Sequence, residues 1–336
     1  MRVEDPAAAE SIGIRPGATV IVTGGAGRLG RSVVRVLAEA GYDVVSIDRA
    51  RFDAPGVRQL DVDLLDAAAA REAFAEVGPD AVVHLAGIAV PGAVPDAQVF
   101  DVNTRLVWNV LEAGVACATR ALLVASSPTV IGYGAPAGWR PSYLPLDEQH
   151  PVAPWNGYAV GKVAIEEIIR MAARRHGEST RFGIFRPCYV IAPEEWAGAL
   201  TQQGHTIAAR LADPSLSAVA LFNYIDARDA GDFVRTWMEQ ADSVPNGEVF
   251  FVTAPDALVH GATADSLAAL VPGTADAATS ISGTDPVFSG RRAQQLLGWT
   301  ARRSWRTELA ALDNGLTHPS TTRLSATPDD QEPSHA

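Results

Sequence analysis

TVIVTGGAGRLGRSVVRVLAEAGYDVVSID, residues Thr19–Asp48, decides the fold of this 336-residue chain. Val20, Ile21 and Val22 form a β-branched run that reads as a buried strand. Gly24, Gly27 and Gly30 follow, and Leu29, Val33, Val36, Leu37 and Ala40 then recur at helical spacing. Gly41 stops that helix, and Val44, Val45 and Ile47 form a second strand ending at Asp48. Each glycine has a physical task. Gly24 permits the tight turn, Gly27 leaves bare backbone for a pyrophosphate to approach, and Gly30 lets helix and strand pack closely. The helix N-terminus offers free N–H groups and the positive end of its dipole to the phosphates. Asp48 can accept hydrogen bonds from the adenosine ribose and repels a 2′-phosphate, so the stretch predicts a dinucleotide site that prefers NAD to NADP. Arg28 and Arg49 are the side chains that would favour a 2′-phosphate instead.

Working outward, a strand is expected near Val57–Val62, followed by the acidic stretch DVDLLD. Asp66 there reads as a helix N-cap, and Asp63 as a group at a strand end that meets the adenine edge. A helix over Ala67–Val77 ends at Gly78-Pro79. The strand Ala81–Leu85 leads into Ala86-Gly87, small enough for a cofactor to lie against, and His84 within it reads as a core histidine. A helix around Val102–Ala113 contains Asn103, and a strand over Ala121–Ala125 ends in Ser126-Ser127. A long loop with Trp139, Tyr143 and Trp155 leads to a helix from Tyr158 to about His176, whose Arg170, Arg174 and Arg175 read as a solvated face. The strand Phe182–Phe185 then ends in Arg186-Pro187.

This alternation predicts an α/β fold with a doubly wound parallel sheet and ligands at the strands' carboxyl ends. From Glu194 onward the pattern loosens into short helices and prolines, with a strand at Glu248–Thr253 and a helix over Phe288–Trp299. The expected organisation is a leader over 1–17, a dinucleotide-binding domain over 18–187, a substrate-binding lobe over 188–316 partly interleaved with it, and a disordered tail over 317–336.

The net charge of −12 argues against nucleic acid or an anionic membrane as a partner. No apolar run is long enough to cross a bilayer, and the polar N-terminus has no secretory character. The two cysteines, Cys117 and Cys188, sit in apolar surroundings and read as reduced thiols of a cytoplasmic protein. No cysteine–histidine cluster suggests a metal.

Tyr158 and Lys162 in YAVGK are four apart and share one helical face. A tyrosine is a poor base at neutral pH, but a nearby ammonium favours the phenolate and lowers its pKa. With Ser127 holding the substrate oxygen, Tyr158 can exchange its proton while hydride passes between the substrate carbon and a nicotinamide.

Here the chain resembles the extended short-chain dehydrogenase/reductases, the NAD-dependent epimerase/dehydratase family, from about Thr19 to Trp299. TGGAGRLG, DVDL, VVHLAG, NTRLVWNVLEA, ASSPTVIG, YAVGK, FRP, YIDARDAG and SGRRAQQLLGW carry the resemblance. It implies a Rossmann domain with a smaller C-terminal lobe, Ser127 as the catalytic hydroxyl, Tyr158 as the acid/base and Lys162 as the ribose-binding lysine. It places Asn103 and Ala86 near the nicotinamide ribose and Pro187 near its amide, with Leu29, Leu64, Leu85 and Gly87 completing the expected cofactor contacts. Family members often dimerise through the helices around Asn103 and after Tyr158.

The departures bear on substrate. Pro128 and Thr129 stand where family dehydratases carry an Asp-Glu pair, which argues against sugar dehydration. Tyr189 and Phe222 stand where nucleotide-sugar members carry Asn and Arg, and an apolar ring cannot bind a diphosphate. HLAGIAV and SSPTVIG are similar to uronate dehydrogenases, although Pro128 and Thr129 depart from the Asn-His found there. Arg186 is a candidate partner for a substrate carboxylate or a brace for its strand end, and Trp139, Tyr143 and Trp155 either lid the pocket or pack the loop. The leading expectation is an NAD-dependent dehydrogenase of a small sugar, sugar acid or polyol. The alternative is an epimerase without net redox, and a third reading is a dinucleotide-sensing regulator, against which the retained Tyr158 and Lys162 argue.

Overall fold

The computed structural model describes residues 13–90 and 92–313. Seven parallel strands form the central sheet in the order β3-β2-β1-β4-β5-β6-β9. They are β1 (Thr19–Thr23), β2 (Asp43–Ile47), β3 (Arg58–Leu60), β4 (Ala81–His84), β5 (Ala121–Ala125), β6 (Arg181–Pro187) and, arriving late in the chain, β9 (Glu248–Val252). The order reverses between β1 and β4, which opens a crevice at their carboxyl ends.

Alternation along each strand splits the core in two. Val20 and Val22 of β1 face α1 (Arg28–Glu39) and α8 (Ala227–Glu239), with Val33, Leu37, Phe233 and Trp237 in one cluster. Ile21 faces the other way, into a cluster with Phe74 of α2 (Ala67–Val77), Val107 of α3 (Asp96–Ala116) and Ile165 of α4 (Gly157–His176). Buried on both faces, the strands carry near-continuous apolar runs, as parallel strands do.

The remaining elements build a lobe beside the crevice. A two-stranded parallel sheet of β7 (Val190–Ile191) and β8 (Ile225–Asp226) shares apolar residues with α5 (Pro193–Trp196), α6 (Ile207–Ala212) and α12 (Trp305–Asp313), and α7 (Ser215–Ala218) packs on α6. Ile191, Trp196, Leu211, Tyr224 and Trp305 form its own small core. The helices α9 (Thr263–Leu270) and α10 (Ala275–Ala278) pack on each other, α9 also touches α7, and α11 (Arg291–Leu297) packs on β9.

Three details differ from expectation. Gly13–Gly17 is not loose: Ile14 is fully buried and its N–H donates to Met238 O at 3.0 Å. The helix expected over Phe288–Trp299 begins only at Arg291, because Val287 and Ser289 bond the backbone of Leu146 and hold Phe288 extended. Arg170 is not merely solvated, since it pairs with Glu166 and Glu167. The segment 317–336, read as a disordered tail, lies outside the described residues. Among the described residues no helix is long and apolar enough to cross a membrane.

Candidate active site

A cleft of about 890 Å³ runs along the carboxyl ends of the strands, and elements far apart in sequence meet in it. The β1–α1 turn contributes Gly24, Gly27, Arg28, Leu29 and Gly30. Gly24 has φ of +71° and passes so close to β4 that a Cβ would sit 2.6 Å from Ala86 N. A Cβ on Gly30 would overlap the Gly24 carbonyl oxygen. On Gly27 a Cβ would meet, within 4 Å, only that same oxygen, at 3.1 Å, so the space in front of its backbone is open. The strand ends add Asp48, Arg49, Asp63, Leu64, Leu85, Ala86, Gly87 and Pro187.

Asp48 has a second task that its position at a strand tip did not announce. Its carboxylate accepts from Ala26 N at 3.0 Å and from Ala50 N at 3.1 Å, so it also braces the glycine turn. Asp63 is exposed to the cleft and accepts from Leu65 N, while Asp66 caps α2 through Ala68 N and Ala69 N as read. Arg28 reaches across to the lobe, donating to Val190 O at 3.1 Å and pairing with Glu195. Arg49 remains exposed beside Asp48.

Ser127, Tyr158 and Lys162 line the same cleft. Asn156 caps α4 by accepting from Ala159 N at 2.8 Å, which sets Tyr158 in the first turn. Lys162 donates through Nζ to Ala125 O at 2.7 Å and lies 5.7 Å from the Tyr158 ring centroid. Ser127 Oγ accepts from Thr129 N and Thr129 Oγ1, at 3.2 and 2.9 Å, which leaves its own hydrogen to be given elsewhere. Burial pushes the Tyr158 hydroxyl up, and the facing Ser127 hydroxyl works against it. The lowering expected from Lys162 is not among the influences on this hydroxyl; burial, which disfavours the phenolate, dominates. Burial also holds Lys162 down to about 8, with Glu166 opposing.

The profile of the NAD dependent epimerase/dehydratase family matches residues 20–253. The chain belongs to that family. NAD is therefore its cofactor, and the glycine turn, the open backbone at Gly27 and the Asp48 carboxylate fit that molecule. The chain is 35% identical over 176 residues to UDP-glucose 4-epimerase from Mus musculus, covering 46% of this chain and 49% of that protein. It is 31% identical over 179 residues to UDP-glucose 4-epimerase 2 from Arabidopsis thaliana, covering 48% and 49%. The matches thus span about half the length of these curated relatives. UDP-N-acetylglucosamine 4-epimerase from Bacillus cereus superposes with a TM-score of 0.63 at 19% identity, over 90% of this chain and all of that one, a likeness of fold.

Asn103, expected in this epimerase/dehydratase site, does not line the cleft, and neither do Arg186 and Trp139, which take the bracing and packing roles that the sequence left open beside site roles. Asn103 is buried and spends its amide on the backbone of Ile88, accepting from its N–H at 2.8 Å and donating to its C=O at 3.0 Å. It therefore shapes the Gly87–Ile88 backbone from behind. Arg186 is bidentate to Glu166, through Nε at 2.7 Å and Nη2 at 2.8 Å, and is 2% exposed. Its cation is neutralised below the site and unavailable to a substrate carboxylate. Trp139 donates to Ile131 O at 3.1 Å and packs edge-on against Tyr133, so it supports the wall without forming it. Phe222, in the position discussed for a diphosphate contact, is likewise fully buried away from the cleft.

The sequence reading missed Glu166 and Tyr133. Glu166 accepts from Ser126 Oγ and Arg186, and so ties α4 to the residues before Ser127 and Pro187. Its signal was its place, one helical turn beyond Lys162. Tyr133 lines the cleft, facing Asn223 and Tyr158. His84, read as a core histidine, is buried and bonded to Thr23 Oγ1 at 2.7 Å.

Proposed function

We propose that the protein is an NAD-dependent epimerase that inverts a hydroxyl-bearing carbon of a sugar. The observation that carries the reading is the presence of Ser127, Tyr158 and Lys162 in the same cleft as the glycine turn. NAD, when bound, supplies the acceptance of a hydride from the sugar carbon and its return to the opposite face. Tyr158 takes the hydroxyl proton as the carbonyl forms and gives it back as the hydroxyl is restored. Ser127 gives its free hydrogen to the same sugar oxygen. Lys162, oriented by the Ala125 carbonyl, presents the positive charge that favours the phenolate.

Retention of this set in a chain similar to 4-epimerases supports epimerisation over net oxidation, which the same residues would also serve. A cytoplasmic setting in carbohydrate metabolism belongs to the reading and suits the two unpaired cysteines. So does a homodimer through α3 and α4, where Phe100, Trp108 and Val160 stand exposed. The lobe around β7 and β8 is assigned to substrate and the sheet domain to cofactor.

The test is incubation with NAD and a panel of UDP-sugars and free sugars, following sugar configuration by chromatography and NADH by absorbance. Inversion without accumulating NADH is the expected result, and stoichiometric NADH would mark a dehydrogenase. Tyr158→Phe should lower turnover by about 100-fold or more with NADH still bound; full turnover in that variant would overturn the mechanism.

A further inference from the structure

The cleft changes character along its length. Its cations, Arg28, Arg49 and Lys162, belong to the cofactor end and the reacting centre. Beyond Tyr158 the wall is formed by Tyr133, Trp155, Asn156, Gln203 and Asn223, and among the described residues no ionised side chain lines that part. Two amides there are already oriented. Asn156 Oδ1 accepts from Ala159 N and Gln203 Oε1 from Arg210 Nη1 at 2.6 Å. Their carbonyl ends are engaged, which fixes which way each NH₂ group points. Asn223 is spent on the wall itself, accepting from Tyr189 N at 2.9 Å and donating to Ala220 O. Trp155 is 45% exposed and spends its indole N–H on Tyr133 O, leaving an apolar ring face to the cleft.

The arginine beside this wall is turned to another use. Arg210 is 1% exposed, donates to Gln203 and to Ser217 Oγ, and lies 4.4 Å from the ring centroid of Tyr189. Tyr189 lines the cleft and Arg210 does not. A nucleoside diphosphate brings about two negative charges, and burying them against neutral amides leaves them uncompensated. Hydroxyl groups have no such need, and a sugar ring's C–H face suits an aromatic plane.

We propose that the substrate end of this cleft takes a neutral polyhydroxylated sugar not attached to a nucleoside diphosphate, held by the oriented amides and stacked on Trp155. This names the substrate class of the reaction proposed above and rests on that reading. It also sets the chain apart from the UDP-sugar epimerases to which about half of it is similar.

The deciding ligand is UDP, titrated calorimetrically into NAD-saturated protein. Half-saturation above about 1 mM is expected, since two charge-assisted hydrogen bonds to phosphate are worth about 100-fold in affinity and none is on offer. Half-saturation below about 1 mM overturns the inference. A second measurement uses the free sugar that the chromatographic panel shows to be inverted, or galactose if none is. Trp155→Ala should weaken it about 10-fold and Trp155→Phe should restore most of the loss; equal loss in both variants removes the stacking role. NADH titration of the same preparations separates the two failures. Protein that does not bind NADH contradicts the proposed reaction, whereas NADH-binding protein that takes UDP tightly contradicts only the neutral-sugar assignment.

Discussion

At the glycine-turn end the cleft is built around main chain: bare glycine backbone, the first N–H groups of α1 and the ends of β1, β2 and β4, with the Arg28, Asp48, Arg49 and Asp63 side chains beside it. At the far end it is made of side chains from four separate segments, at Tyr133, Trp155–Asn156, Gln202–Gln203 and Asn223. At Gly24 and Gly30 the first end tolerates no added atom, because its shape there is the backbone itself. The second can change its ligand one side chain at a time without disturbing the fold. On the proposed function, a dinucleotide, constant across a family, would be met by the rigid end and a variable substrate by the adjustable one.

The contrast breaks most completely at Gly30. Gly30→Ala places a methyl into the Gly24 carbonyl, and a loss of about 3 kcal/mol in stability, together with NADH binding, is expected. Melting and NADH fluorescence check this; a variant that melts and binds like the parent would show the turn to be adjustable after all.

Next comes Glu166, which joins the two ends from beneath. Glu166→Gln leaves the buried Arg186 cation without its counter-charge and should cost about 3–5 kcal/mol. Replacing both by methionine should recover much of the melting temperature, since a buried pair is often no better than an apolar one. NADH affinity is then the sharper readout: if it stays low while stability returns, the pair positions Lys162 and Pro187.

Lys162 gives a smaller, pH-dependent effect. Its ammonium, held down to about 8, is lost in the fold well before its ordinary 10.5. Turnover supported by that charge should fall as pH rises through about 8. Stability from this group moves the other way: the unfolded chain binds the extra proton between about 8 and 10.5, so the burial penalty is relieved as pH climbs through that window. Parallel rate and urea-unfolding profiles should diverge there. Asp66→Ala, remote from both ends, should cost only about 1 kcal/mol through the lost cap on α2, with NADH affinity unchanged.

The same contrast explains what could be read from sequence. Helix α2 begins and ends where expected because Asp66 caps it and Gly78, at φ of +61°, stops it, both local signals. The glycine turn, Asp48, Ser127, Tyr158 and Lys162 were legible because backbone geometry fixes their spacing. Asn103 was read as a cleft residue and stands behind it, while Arg186 and Trp139 were left open between two roles, because the partner that claims each one lies elsewhere: Ile88 for the first, Glu166 for the second, Ile131 for the third. A polar side chain beside a cleft reads alike whether it faces the ligand or the wall. Only the fold tells which, and Tyr133 stayed unnoticed for the same reason.

Tyr158, Lys162 and Glu166 stand one turn apart on α4, so the proposed proton carrier, the charge and the brace form a single column. A helix advances by about 100° per residue. Deleting any one residue between Tyr158 and Glu166 would therefore swing the carboxylate out of reach of Arg186 while leaving the helix itself intact. The column therefore behaves as one part with one adjustment, its rotation.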